Sequence, residues 1–140
     1  KQIYSTLKLS KYLIKKYKIK FVLGHSDIAP FRKKDPGKNF PWKSLKKSNI
    51  LLNFRKLRNS DLEIIEEWFN INNFKSKKRK IIFSLSLIGY DTREVVRSPR
   101  LYYKLINAYK IRYVNNIDKK NELFYDTLIK HLFNFMLTKN

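Results

Sequence analysis

The sequence predicts two regions of different class. Residues 1–58 read as an α/β remnant made of a helix, a strand and a metal-type loop; residues 59–140 read as a small all-α bundle. Three observations carry this. Apolar residues at helical spacing precede a short run, Phe21-Val22-Leu23, that reads as a strand. A loop shaped by Pro30, Pro36 and Gly37 follows and concentrates the residues that carry chemistry. From Ser60 onward the apolar pattern is helical, with cap and stop signals between the segments.

The elements follow in order. Ile3, Leu7, Leu13, Ile14 and Tyr17 share one helix face, and the lysines at 8, 11, 15, 16 and 18 mostly fill the other. The strand Phe21-Val22-Leu23 would deliver His25 at its C-terminal end. Lys43 to Lys47 suggests a short surface turn of helix, and the run Ile50-Leu51-Leu52-Asn53-Phe54 would close the first region. Ser60 with Glu63 is a capping-box pattern ahead of a helix carrying Leu62, Ile65, Trp68 and Phe69. The Lys75 to Lys80 run reads as a solvated helix start or linker. Ile81 to Ile88 continues as a buried helix that Gly89 ends. Ser98-Pro99 supplies a cap and first turn for a helix through Leu101, Leu105, Ala108 and Tyr109. Asn115-Asn116 breaks it, and Phe124, Leu128, Leu132 and Phe135 stripe the last helix. Tyr102, Tyr103, Tyr109 and Tyr113 read as ordinary packing residues.

Composition bounds the function. The 140 residues suit one ordinary domain or two small ones, and 43% hydrophobic content with 15% aromatics argues for a folded chain. The formal net charge is +21, from 32 basic and 11 acidic residues. Such a balance suits a polyanionic partner, either nucleic acid, an anionic membrane or a bacterial wall. The basic residues are spread along the whole chain among Asn, Ile, Tyr and Phe, so part of the charge reads as A/T-rich codon usage. No nucleic-acid recognition motif accompanies it, so no specific nucleic acid is expected as partner. With no Cys, disulfides and thiolate metal sites are excluded. No apolar run approaches the ~20 residues of a transmembrane span.

The loop carries the chemistry. Gly24-His25-Ser26-Asp27-Ile28-Ala29-Pro30 is followed by Lys33-Lys34-Asp35-Pro36-Gly37 and Phe40-Pro41-Trp42. A catalytic zinc takes three nitrogen, sulfur or oxygen ligands from protein and leaves a position for water. His25 and Asp35 supply one nitrogen and one carboxylate. Lys33 precedes Asp35 by two positions, so in an extended segment its ammonium would share that face and could stabilise an oxyanion. Residue types alone also suit a plain hydrogen-bonded or solvated His–Asp pair.

The run GHSDIAPFRKKDPGKNFPWKSL resembles the C-terminal metal loop of the zinc-dependent N-acetylmuramoyl-L-alanine amidases, which share a fold with the peptidoglycan-recognition proteins. The resemblance implies that His25 and Asp35 are Zn2+ ligands, that Lys33 assists catalysis and that the Phe40-Pro41-Trp42 run packs under the site. It covers roughly residues 1–58, the C-terminal part of the catalytic domain, and departs from the family at Phe31, where Gly is common. A weaker resemblance covers 59–140. Leu87-Ile88-Gly89-Tyr90-Asp91 and Ile106 to Tyr113, followed by a helix, look like the peptidoglycan-binding-type domain appended to some of these amidases. There the usual Gly before the last helix is replaced by Asp118-Lys119-Lys120.

The family also needs another His ligand and a catalytic Glu upstream of the motif. Residues 1–24 contain no His, Asp or Glu, and the only other histidine, His131, lies in the last helix stripe. The expectation is therefore an amidase fragment with little or no hydrolase activity alone. The intact reaction would hydrolyse the amide between N-acetylmuramoyl and L-alanine, with peptidoglycan or muropeptides as partner. The appended domain favours the cell envelope, periplasm or outer membrane, over the cytoplasm. The alternatives are a catalytically inactive peptidoglycan-binding remnant and, last, a basic nucleic-acid-binding module.

Overall fold

The computed structural model describes residues 2–19, 21–51, 54–114 and 121–138, with side chains of the last segment described from 123. The helices are α1 (Gln2–Tyr17), α2 (His25–Ile28), α3 (Trp42–Lys47), α4 (Asn59–Ile71), α5 (Lys77–Leu87), α6 (Arg93–Arg97), α7 (Tyr102–Tyr113) and α8 (Asn121–Leu137). A 3-10 turn, Pro99–Leu101, leads into α7. No strand occurs among the described residues.

The α/β expectation for residues 1–58 is thus overturned. Phe21-Val22-Leu23 is not a strand; it runs as irregular chain between α1 and α2. A strand needs a neighbour for its backbone N–H and C=O groups. None of the described segments offers one, and the Val22 carbonyl is taken instead by the Arg112 side chain. The alternation expected of a half-buried strand does survive in exposure. Phe21 and Leu23 are 67% and 56% exposed, while Val22 turns inward.

Helices α1, α4, α5, α7 and α8 form where the apolar period predicts them, because that period is a local property of the chain; the short helices α2 and α6 were not expected. The start of α4 differs in detail from the Ser60–Glu63 pattern. The helix begins at Asn59, and the Asp61 carboxylate accepts the Arg58 N–H at 2.9 Å. Arg55 and Arg58 guanidiniums also reach Asp61, which draws the cap to that residue. Helix α5 starts inside the lysine run, with Ser76 Oγ accepting from the Arg79 N–H at 3.2 Å. It stops before Gly89, whose φ of +103° is a backbone conformation side chains disfavour. Leu52 and Asn53, and the Asn115-Asn116 and Asp118-Lys119-Lys120 signals, lie outside the described residues.

Three apolar clusters hold the chain together. The first joins α5, α7 and α8 through Leu85, Leu105, Tyr109 and Leu128. The second packs Ile65 and Phe69 of α4 against Ile129, Leu132 and Phe133 of α8. Helix α8 therefore serves both, with successive faces. The third cluster is small, Trp42, Leu45 and Leu51, with Leu7 of α1 and Ile111 of α7 against it. It is what seats the motif loop beside α7. Helix α1 buries no residue fully, and Tyr4, Leu9 and Tyr17 are exposed.

His131 sits inside this packing. Its ring stacks on Phe54 with centroids 4.4 Å apart, and Nδ1 lies 3.3 Å from the Tyr109 hydroxyl. Burial, reinforced by the nearby Arg112 charge, pushes its pKa down to about 3. The histidine stays neutral when folded, whereas the unfolded chain takes up a proton near pH 6.5. Between those values the unfolded state binds more protons, so stability falls as pH falls. Urea unfolding at pH 7 and pH 5 should show a His131 contribution of about 2 kcal/mol lost at the lower pH. His131→Phe should remove that part of the pH dependence.

Candidate functional site

The motif loop is a hairpin-like excursion closed at its base by backbone. The Ser26 N–H donates to the Asp35 carbonyl at 2.9 Å, which ties the helix α2 limb to the Asp35 limb. Ala29 N–H bonds the His25 carbonyl at 2.8 Å, and Lys33 N–H bonds the Ala29 carbonyl at 2.9 Å, so the chain turns back at Pro30. The nine residues between His25 and Asp35 accommodate that turn.

The result is a direct contact between His25 Nδ1 and a carboxylate oxygen of Asp35. Both side chains face solvent, at 70% and 59% exposure. The hydrogen bond from His25 is the main cause that holds the Asp35 pKa below its ordinary value; the charges of His25 and Lys33 act in the same direction. Lys33 is exposed and close enough for that influence. The structure thus brings His25, Asp35 and Lys33 to one loop surface.

The donor types, imidazole nitrogen and carboxylate oxygen, suit zinc. Their number falls short of a catalytic site. No group of three or more His, Cys, Asp or Glu that could hold a metal ion occurs among the described residues. His131 is buried among Phe54, Tyr109 and Tyr113, and it is not part of the pair.

Below the exposed pair lies a buried network that sequence reasoning missed. Asp27, on the short helix that starts at His25, is 4% exposed. One of its oxygens accepts the Gly24 N–H at 2.7 Å and also the Arg112 guanidinium; the other accepts the Tyr90 hydroxyl at 2.8 Å. Arg112 spends its second terminal nitrogen on the Val22 carbonyl. Its plane lies 4.8 Å from the Trp42 ring and 5.0 Å from the Tyr113 ring. Burial and the Asp27 charge push the Tyr90 hydroxyl well above its ordinary pKa, so it remains a donor.

The signal for this network was present in α7. Leu105, Ala108, Tyr109 and Arg112 occupy one stripe of helical spacing, and all four are buried. An arginine on an apolar stripe requires a carboxylate partner. The loop's Asp27, beside Ser26 and Ile28, was the available one.

Trp42 completes the floor. It is 4% exposed, packs edge-on to Phe40 with centroids 4.6 Å apart, and lies under Gly24. Gly24 has an ordinary φ of −92°, so its role is space and not conformation. A Cβ there would stand 2.6 Å from Pro36 Cδ and 3.3 Å from the Trp42 ring. Next to the network runs a groove of about 660 Å³, lined by Val22, Leu23, Leu51, Ile88, Tyr90 and Arg112 among others. His25 and Asp35 are not among its walls.

Over 51 residues, 35% of its length, the chain is 47% identical to the N-acetylmuramoyl-L-alanine amidase AmiD of Escherichia coli (strain K12). The chain spans 18% of the length of that relative. No family model matches the chain, and no solved structure does.

Two substitutions test the architecture. Asp27→Ala leaves Arg112 buried and unpaired, and chemical denaturation should show a loss of about 3–5 kcal/mol. Gly24→Ala forces Pro36 or Trp42 to move, and should cost about 1–3 kcal/mol. NMR of the Gly24 variant should show its largest shifts at residues 35–42.

Proposed function

We propose that this chain is part of a zinc-dependent N-acetylmuramoyl-L-alanine amidase. In this reading, residues 1–58 are the C-terminal part of the catalytic domain and 59–140 a helical peptidoglycan-binding-type domain. His25 and Asp35 are two of the metal ligands, and Lys33 is a catalytic residue. The substrate is the amide between N-acetylmuramoyl and L-alanine in peptidoglycan or muropeptides, and the cell envelope is the location. The observation that carries the reading is the His25–Asp35 side-chain contact, exposed on a loop closed by backbone hydrogen bonds, in a chain with an amidase-like stretch.

When bound, zinc would lower the pKa of a water and polarise the scissile carbonyl. The chain's own residues do the rest of what is assigned here. His25 and Asp35 offer donors that the backbone bond from Ser26 to Asp35 keeps together. The Lys33 ammonium, on the same loop surface, stabilises negative charge on the carbonyl oxygen as it develops. No helix among the described residues is long and apolar enough to cross a membrane, so this reading involves no helical span among them.

One observation favours a second reading, a catalytically inactive peptidoglycan binder. The described residues bring two metal donors together and not three. Two ligands hold zinc more weakly than three, and among the described residues no carboxylate beyond Asp35 joins the pair to handle the water proton. The 140-residue chain by itself should therefore show background rates of muropeptide cleavage, measured by release of the peptide, even with zinc supplied.

In the natural protein assayed for zinc-dependent cleavage, His25→Ala and Asp35→Ala should each abolish activity and lower bound zinc by metal analysis. Lys33→Ala should lower kcat by about 100-fold with bound zinc unchanged. Full zinc content and activity in the His25 variant would exclude the assignment. Retention on purified sacculi without cleavage by the natural protein would favour the binder.

A further inference from the structure

We propose that Arg112 and Tyr90, from the C-terminal half, are positioning residues for the metal pair: they set the backbone that carries His25, and so its affinity for zinc. This rests on the reading that His25 and Asp35 hold the ion.

The argument starts from what does not hold His25. Its side chain is mostly exposed, and its partner Asp35 is exposed as well. Neither is fixed by packing. Their geometry is therefore inherited from the backbone on either side.

That backbone is fixed from a distance. Val22, three residues before His25, gives its carbonyl to Arg112, 90 positions away. Gly24, immediately before His25, gives its N–H to Asp27. Asp27, two residues after His25, is gripped by Arg112, 85 positions away, and by Tyr90, 63 positions away. One guanidinium thus binds both limbs that flank the ligand. The aromatic faces of Trp42 and Tyr113 limit where that guanidinium can sit. The Asp35 limb is then referenced to the same frame, through Ser26 N–H to the Asp35 carbonyl.

A site with few ligands gains most from such a frame. Each donor that must be ordered at binding subtracts from affinity, and preorganised donors do not. Residues that orient metal ligands without touching the metal commonly change affinity 10- to 100-fold when altered. The guanidinium fork is also specific. Lysine offers one nitrogen with three N–H donors in place of the planar fork, so it does not reproduce the two separate contacts to Asp27 and the Val22 carbonyl.

The test uses zinc alone, titrated into the 140-residue chain and followed by the imidazole NMR signals of His25. Backbone relaxation of residues 22–28 is recorded alongside. The variants are Arg112→Met, Arg112→Lys, Tyr90→Phe and His25→Ala, with Phe69→Leu as a destabilised control in the α4–α8 cluster. Binding by His25→Ala is followed through the Asp35 signals.

The expected result is loss of binding in His25→Ala and weakening of about 10- to 100-fold in Arg112→Met. Arg112→Lys should recover part of that loss, and Tyr90→Phe, which keeps the ring and removes one hydrogen bond, should weaken binding several-fold. Residues 22–28 should become more mobile in the Arg112 variants while α4 and α8 stay rigid. Phe69→Leu should bind as the parent does.

Retained binding in His25→Ala would remove the reading beneath the proposal. Loss in His25→Ala with parental affinity in both Tyr90→Phe and the Arg112 variants would overturn the proposal and leave that reading standing. Equal weakening by Phe69→Leu would also overturn it, because general loosening would then account for the effect. If Arg112→Met does not fold, Tyr90→Phe and Arg112→Lys decide the matter.

Discussion

The buried pair of Asp27 and Arg112 is the constraint on which the rest of the molecule depends. Two charges removed from water are costly, and the attraction between them offsets that cost only when the remaining hydrogen-bonding capacity is also filled. Here most of it is. Asp27 has the Gly24 N–H, the Tyr90 hydroxyl and the guanidinium, and Arg112 has the carboxylate and the Val22 carbonyl. The arginine Nε and the Trp42 indole N–H are the buried side-chain groups left without a partner among the described residues. The pair joins three segments far apart in sequence, the loop at 22–27, the turn at Gly89-Tyr90 and helix α7. The apolar cluster there is too small to fix their relative placement, since among the described residues its buried members are Trp42, Leu45 and Leu51. Apolar packing would tolerate several arrangements of these segments; a forked donor with two specified acceptors tolerates few.

How much of this was legible from the residues depends on range. Helices α1, α4, α5, α7 and α8 could be read because apolar spacing and caps are local. The strand at Phe21-Val22-Leu23 could not be decided locally, because a strand exists only beside another. The apolar composition there was right for burial of Val22 and wrong for a sheet. The cap of α4 shows the same limit on a smaller scale. Ser60 and Glu63 fit a capping pattern, but Asp61 had two arginines within reach, and those contacts selected it. At the site, His25, Asp35 and Lys33 were visible as residue types in an ordered motif. That the first two meet was expected, as a hydrogen-bonded pair or as ligands of one ion; the Ser26–Asp35 backbone bond that holds the two limbs together was not readable from the residues. Asp27 was passed over because its partners lie 63 and 85 residues away.

The charge balance explains why carboxylates have such structural weight. With 32 basic and 11 acidic residues, cationic partners are plentiful for each buried acid. Asp61 is reached by Arg55 and Arg58, Asp91 by two nitrogens of Arg93, and Asp27 by Arg112. The Arg93 contacts hold the Asp91 pKa down to about 2. Acidic residues in this chain are thus the scarce component, and the described ones that are buried, Asp27 and Asp61, each close a junction between segments. Asp35 stands apart. It is exposed, it faces an imidazole and not an arginine, and Lys33, whose charge reaches it, stands two positions before it.

That contrast separates two jobs within one loop. A carboxylate locked by a buried arginine has both oxygens engaged and shut away from solvent; Asp27 is in that state. A carboxylate whose partner is an exposed neutral-capable imidazole keeps oxygen lone pairs towards solvent, and both groups can turn their donors to the same cation; Asp35 and His25 are in that state. On the proposed reading the loop places its geometry in the buried acid and its chemistry in the exposed one, with seven residues between them and the Ser26–Asp35 backbone bond crossing the gap. On that reading, exchanging the environments would undo both roles, since an exposed Asp27 would release the backbone beside His25 and a buried Asp35 would have no open side for an ion. What the pair requires from the fold is one fixed backbone frame, and a salt bridge to α7 supplies that without a sheet.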